Sequence, residues 1–261
     1  FIGGSGSLVA GASAGSSAVA YQWKKNGADI ANANAAVYAL GSAALSDAGT
    51  YSVVVSAGTV GLESAPAVVS VWEVPLVGPL QPATQVIALG GSVAFSVSAV
   101  GQGTLGYRWW KDGVVLAGET GAALTLASVG TQSAGQYQAE VSNASGVTLS
   151  TAGTLAVLSV VAQPQPVTVV YGGTAVLSAQ GFANGVPVDY QWLRGSNPIS
   201  GATHAAVTLP GVTLADAGTY SVLLSAGGTS VLSGSAAVTV QVPAPRIEFL
   251  APMTQVRLPG D

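Results

Sequence analysis

The sequence predicts an all-β chain: three copies of one β-sandwich in series, followed by a spare strand. Three observations carry that prediction. A set of landmark residues recurs three times, apolar and small polar residues alternate with a period of two between the landmarks, and no helical periodicity of useful length is present.

The landmarks come first. YQWKKNG at Tyr21–Gly27 returns as YRWWKDG at Tyr107–Gly113 and as YQWLRGS at Tyr190–Ser196. Each is followed by a second motif: DAGTY ending at Tyr51, SAGQY ending at Tyr137, and DAGTY ending at Tyr220. The Trp-to-Tyr distance is 28 positions in all three copies, and the Trp residues themselves are spaced by 86 and then 83. A pair of glycines lies upstream of each Trp, at Gly3 and Gly4, Gly90 and Gly91, and Gly172 and Gly173. Between landmarks, stretches such as SVAFSVSA at Ser92–Ala99 and ALTLASV at Ala123–Val129 alternate strictly. Side chains of a strand point to opposite faces in turn, so this alternation describes half-buried strands. Short strands separated by Gly and Asn turns at regular spacing describe a β-sandwich. The expected division is residues 1–72, 73–158 and 159–242 for the three sandwiches, with 243–261 as an additional strand segment.

Composition narrows the function classes. Charged residues make up only 7% of the 261 positions, so the outward faces must be built from Ser, Thr, Ala, Gly and Gln. A net charge of −4 gives copies little mutual repulsion. Seven Lys and Arg without a cluster argue against nucleic acid. No apolar run approaches the ~18 residues of a membrane-spanning helix, and no signal peptide is recognisable. The chain opens at Phe1 without Met, which suggests a mature or excised piece of something longer. With no cysteine there is neither a disulfide framework nor a thiolate metal site.

Tyr-x-Trp, a Lys-Asn-Gly or Lys-Asp-Gly turn and Asp-Ala-Gly-Thr-Tyr together resemble the immunoglobulin-like domain. More narrowly, they resemble the tandem, cysteine-poor immunoglobulin-like repeats of large bacterial surface and secreted proteins. The resemblance covers essentially the whole chain. It implies that Trp23, Trp109 and Trp192 form the cores. It also implies that Tyr51, Tyr137 and Tyr220 are corner tyrosines whose hydroxyls bond backbone near Asp47, Ser133 and Asp216. Where the family has its core disulfide, this chain offers Ala10 with Val53, Val97 with Ala139, and Ala179 with Val222. Each pair is one Ala and one Val, so the filled volume stays constant. Losing each bridge forfeits about 2–4 kcal/mol, a share that the Trp cores must carry.

The two ends do not match. In the second repeat EVPLVGPLQPATQVIAL, Glu73–Leu89, precedes the glycine pair as an opening strand, confined to a sheet edge by Pro75, Pro79 and Pro82. The third repeat has SVVAQPQPVTVVY, Ser159–Tyr171, in that place, and the first has only Phe1 and Ile2. The tail APMTQVRLPGD, Ala251–Asp261, aligns with Gln81–Ser92, with Thr254, Gln255 and Val256 matching Thr84, Gln85 and Val86. Three readings are open. The chain is a window on a longer tandem array; the tail is disordered or artefactual; or the tail of one copy fills the first sandwich of the next by strand addition. In the last, Ile247, Phe249, Val256 and Leu258 are the inserted apolar residues.

Candidates for chemistry are few. His204, the single histidine, stands in a turn where the second repeat has no titratable equivalent, and reads as a turn residue. Glu119, Glu140 and Asp112 do not form a catalytic pair by sequence and read as solvated charge. Asp47 and Asp216 read as turn residues. Asn143-Ala-Ser matches a glycosylation pattern but reads as a turn. Trp110 follows a core Trp, so alternation sends it to the outer face, where it would serve a contact or a sugar. No catalytic, metal or cofactor residue is assigned, and no enzyme is expected. The function expected is a structural subunit of an extracellular filament, fibre or surface layer, assembled head-to-tail. The alternative is a spacer or adhesive repeat of a large bacterial surface protein that binds carbohydrate or another cell. The partners are then copies of itself, or adjacent repeats of the same long chain, outside the cell or at its surface.

Overall fold

The computed structural model of the chain describes residues 2–245. The expected inserted residues Ile247, Phe249, Val256 and Leu258 lie outside the described residues. The chain forms three β-sandwiches whose only helical elements among the described residues are the one-turn 3-10 segments Leu45–Asp47, Thr131–Ser133 and Leu214–Asp216. It divides into two compact units. One, running to Gln85 and again over Gly90–Ala156, holds the first two sandwiches; the other, Val86–Leu89 and Val157 onward, holds the third.

Each sandwich repeats one plan. A two-stranded antiparallel sheet faces a larger one: Gly6–Val9 with Val37–Leu40, Val93–Ser96 with Ala123–Leu126, and Ala175–Ser178 with Ala206–Leu209. In the larger sheet the Trp strands Ala20–Lys25, Gly106–Lys111 and Asp189–Arg194 pair with the Tyr strands Gly49–Ala57, Gly135–Asn143 and Gly218–Ala226. The register puts Trp23 opposite Val53, Trp109 opposite Ala139 and Trp192 opposite Val222. Val53, Ala139 and Val222 are therefore cross-strand neighbours of the Trp residues. Trp109 and Trp192 are fully buried and Trp23 is 4% exposed. A buried indole N–H needs an acceptor, and each finds one 12 residues on: Ala35, Gly121 and His204 carbonyls, all at 2.9 Å.

The motif before each Tyr closes the corner. Tyr51, Tyr137 and Tyr220 are buried, and their hydroxyls donate to the carbonyls of Asp47 (2.9 Å), Ser133 (2.6 Å) and Asp216 (2.9 Å). The 3-10 turns between are tied by the side chains of the same residues. The Asp47 carboxylate accepts the Ala44 N–H, the Ser133 hydroxyl the Gly130 N–H, and the Asp216 carboxylate both the Thr213 N–H and the Thr213 hydroxyl. The motif's glycine is favoured in all three copies by its φ, 159° at Gly49, 149° at Gly135 and 153° at Gly218. At Gly135, with φ of 149°, an added Cβ would collide with the Asp112 carboxylate.

One feature departs from the sequence reading. The opening strand expected over Glu73–Leu89 is two short strands, Leu76–Val77 and Thr84–Ala88, because the prolines between them cannot continue a ladder and the chain crosses from one sheet to the other.

Burial pushes the Tyr137 phenol up to about 12, with the Asp112 carboxylate adding to the rise. A raised folded-state pKa means that the neutral phenol stabilises the fold fully below the ordinary value of 10.0, and that this contribution is lost as pH climbs through the folded value. Tyr137→Phe should cost about 1 kcal/mol at neutral pH through the lost hydrogen bond and should flatten the alkaline loss. Urea denaturation at pH 7 and pH 11 reads both; equal pH dependence in the two proteins would contradict the assignment.

Candidate functional site

The site is an open apolar groove in the first sandwich, and its meaning comes from the two sandwiches that lack it. In the second, Leu76–Val77 pairs antiparallel with Ala99–Val100, and Gln81 exchanges backbone hydrogen bonds with Ser96 at 2.8 and 2.9 Å. The chain then crosses, Leu80 is driven fully into the core, and the Thr154 N–H donates to the Ala83 carbonyl (2.9 Å) as Thr84–Ala88 joins the closing strand. The third sandwich repeats this. Ser159–Ala162 pairs with Gln180–Phe182, Pro164 is buried, and Val167–Val170 runs parallel to the closing strand Ala236–Gln241.

The first sandwich has the closing strand, Ala67–Val69, paired to Gly49–Tyr51 on one side. Among the described residues no strand pairs with its other side, and none pairs with the stretch beyond Val9 that corresponds to Ala99–Val100. Burial falls accordingly. Leu8 is half-buried where Phe95 and Leu177 are buried, and Val55 is half-buried where Val141 and Leu224 are buried. Ala67 is exposed and Val69 half-buried, where Gly153 and Leu155, and Ala236 and Val238, are buried. The opening is about 640 Å³. Leu8, Ala10, Trp23, Tyr51, Val53 and Val55 form its floor; Ala12–Ala14, and Ala65 with Ala67, form two of its walls. Val60 and Leu62, 69% and 76% exposed, stand on a third. Glu63 is the one charged side chain in the lining, and its carboxylate accepts the Ser52 hydroxyl (2.6 Å). A groove of this chemistry can accommodate apolar side chains and an extended backbone; its lining has three serines and one carboxylate but no histidine, and no metal-ligand group.

The other sequence candidates do not converge on a site. The His204 side chain is exposed and its backbone carbonyl serves Trp192. Glu140 pairs with Arg108 at 3.5 Å. Asp112 pairs with Lys111 and accepts the Gln136 N–H (2.7 Å), and these two contacts hold its carboxyl below the usual range. Asn143 donates to the Glu73 and Gln102 carbonyls and accepts the Ser145 N–H (2.9 Å), so its amide is committed to a turn. Trp110 does lie on the outer face, but it is half-buried rather than exposed. Val115 and Gln138 stand directly opposite it on the flanking strands, and its indole N–H is buried without a partner among the described residues. It offers little open ring for a sugar. Among the described residues no group of three His, Asp or Glu is arranged to hold a metal ion. Sequence reasoning passed over Val60 and Leu62. The signal was there in the hairpin alignment, where the register matches them to Gly146 and Thr148 in the second sandwich and to Thr229 and Val231 in the third.

No protein-family model matches the chain. Among solved structures, it is similar to a three-domain I-band fragment of titin, at 19% identity and a TM-score of 0.66, over 92% of this chain and 94% of that one. An E-to-A variant of the same three-immunoglobulin-domain fragment gives 18%, 0.66, 92% and 94%. The three N-terminal domains of the bacteriophage RB49 outer capsid protein Hoc give 17% identity at a TM-score of 0.47, covering 92% and 95%. The titin likeness extends over all three sandwiches and shows the fold: a tandem array of immunoglobulin-like domains.

The open groove predicts an order of local stability. In dilute solution the amides of Gly49–Ala57 should exchange with solvent faster than those of Gly135–Asn143 and Gly218–Ala226, because fewer apolar contacts hold the strand. Hydrogen exchange read by mass spectrometry checks this. Equal protection in the three strands would mean that the first core is already sealed.

Proposed function

We propose that this chain is a structural element that joins end to end, the segment Arg246–Asp261 of one copy completing the first sandwich of the next. The sandwiches are then 1–72, 73–158 and 159–242, with 243–261 belonging functionally to the neighbour. The observation that carries the reading is the groove. It opens on the two sheet positions that Leu76–Val77 and Thr84–Ala88 occupy in the second sandwich, and the tail repeats the Thr-Gln-Val of that very segment. Inserting a strand satisfies backbone groups along an open edge and removes apolar surface from water, at about 25 cal/mol per Å². A contact between unlike ends propagates into an open filament unless its rotation closes a ring. The charge-poor surface supports such assembly, since little repulsion opposes it. The resemblance of the motifs to repeats of large surface and secreted proteins supports a place outside the cell or on its surface. No catalytic role is proposed.

A second reading is favoured by the repeats themselves. The second and third sandwiches each receive their opening segment from the same polypeptide, so an array continued in one long chain would close the groove in the same way. The chain would then be a spacer or adhesive region of a larger surface protein, with carbohydrate as a weakly supported ligand. Electron microscopy of native material separates the two, as long regular fibres or as isolated short rods.

Removing Arg246–Asp261 should abolish end-to-end association, and Val256→Asp should weaken it by placing a charge in an apolar slot. Light scattering coupled to size exclusion measures both. Unchanged association after the deletion would overturn strand donation.

A further inference from the structure

We infer that the groove takes Ala244–Leu258 of a second copy in the register of the second sandwich's own opening segment. Leu250 is the core plug in this register, and two exchanged small-for-large pairs mark the first sandwich as its proper acceptor. The inference rests on the head-to-tail reading above.

The register follows from sequence and structure together. Leu-x-Pro-x-Thr-Gln-Val at Leu250–Val256 repeats Leu80–Val86 at five of seven positions, with no gap. Leu80 is the residue that enters the core at the crossing between the sheets, and it is fully buried. Leu250 thus occupies the corresponding place. The receiving floor is rearranged: Leu8 stands where Phe95 stacks on Tyr137 at 5.0 Å between centroids, and across the strand pair Tyr38 stands where Leu124 sits. Ala67 replaces Gly153, where an added Cβ would stand 2.5 Å from Leu80 Cδ2 and 3.1 Å from the Pro82 carbonyl oxygen, so the inserted segment must sit further from the closing strand there than Leu80–Pro82 does.

The same register makes the fit selective. In the second sandwich Val74 lies against Gly146, where an added Cβ would stand 3.0 Å from the Val74 methyl. At the matching positions the tail has Ala244 and the first sandwich has Val60, so the large and small partners have changed sides. Gly78 packs beside Ser98, and a Cβ on Gly78 would collide with the Ser98 hydroxyl. The tail has Glu248 at that place, and the first sandwich has Gly11, around which there is open space. Glu248 is therefore excluded from a second-sandwich environment and accepted by the first. The second half of the segment runs parallel to Ala67–Val69, as Val167–Val170 runs parallel to Ala236–Gln241. That direction gives the assembly a single polarity.

The test is association of the full chain measured by sedimentation equilibrium, with circular dichroism as a check on folding. Gly11→Ser, at an open position, should weaken association about tenfold or more, which corresponds to about 1.4 kcal/mol. Adding Glu248→Gly to it should restore association to about the original level, because it recreates the Gly78–Ser98 pair. Leu250→Asp should abolish association. If the wild-type chain associates but Gly11→Ser is neutral, or is not rescued by Glu248→Gly, or Leu250→Asp still associates, the register is wrong while strand donation stands. If the wild-type chain remains monomeric throughout, strand donation itself falls, and the groove's occupant is some other segment.

Discussion

A sandwich core is sealed only when its opening segment crosses from one sheet to the other and drops a side chain between them. Leu80 does this in the second sandwich and Pro164 in the third; both are buried, and around each the Trp, the Tyr and the closing strand are buried too. Where no described residue makes the crossing, the same fold is present but its core is thin. Trp23, Ala33 and Val53 are buried there, and Leu8, Ala10, Tyr38 and Val55 pack around them only in part. The difference between a closed module and an acceptor lies in one short segment, because sheets hold their pairings by backbone hydrogen bonds while the core depends on apolar burial.

This division explains how the first sandwich keeps its shape while open. The centre of its hydrogen-bonded frame is in place although two edges are open: the Trp strand pairs with the Tyr strand over six residues, the corner hydroxyl is bonded, and the indole N–H has its acceptor. Tyr38 bridges the two core rings, 6.0 Å from Trp23 and 5.8 Å from Tyr51, where the second sandwich stacks Phe95 on Tyr137 alone. It stands where Leu124 and Val207 sit in the second and third sandwiches. A larger ring helps to hold a floor that no plug covers. The chain has no cysteine, so Val53, Ala139 and Val222, each opposite a Trp, hold the core by packing alone.

Much of this was legible in the sequence, for physical reasons that can be named. The constant Trp-to-Tyr spacing reports a fixed pairing register between two strands that are neighbours in the sheet but not in sequence, and the Asp-Ala-Gly-Thr-Tyr motif reports a turn with its own side-chain ties. The mismatch of the ends was legible because every repeat needs a first strand. Less legible were features that depend on neighbours across the sheets. Alternation gave Trp110 its face but not its burial, which Val115 and Gln138 determine from adjacent strands. The prolines in Glu73–Leu89 marked an edge, yet the split into two strands on different sheets is a tertiary event. Val60 and Leu62 were invisible as a groove wall until the hairpin register placed them above the open core.

The central claim is that a second copy's tail lies against Trp23. The chain contains no cysteine, so Met253→Cys gives a single attachment point for a spin label. Mixing this labelled, isotopically silent copy with a nitrogen-15 copy, and recording the indole resonances, tests the contact between molecules directly. The account predicts selective broadening of the Trp23 indole N–H, with those of Trp109 and Trp192 unaffected. Uniform sharpness of all three at concentrations where the chain associates would contradict it.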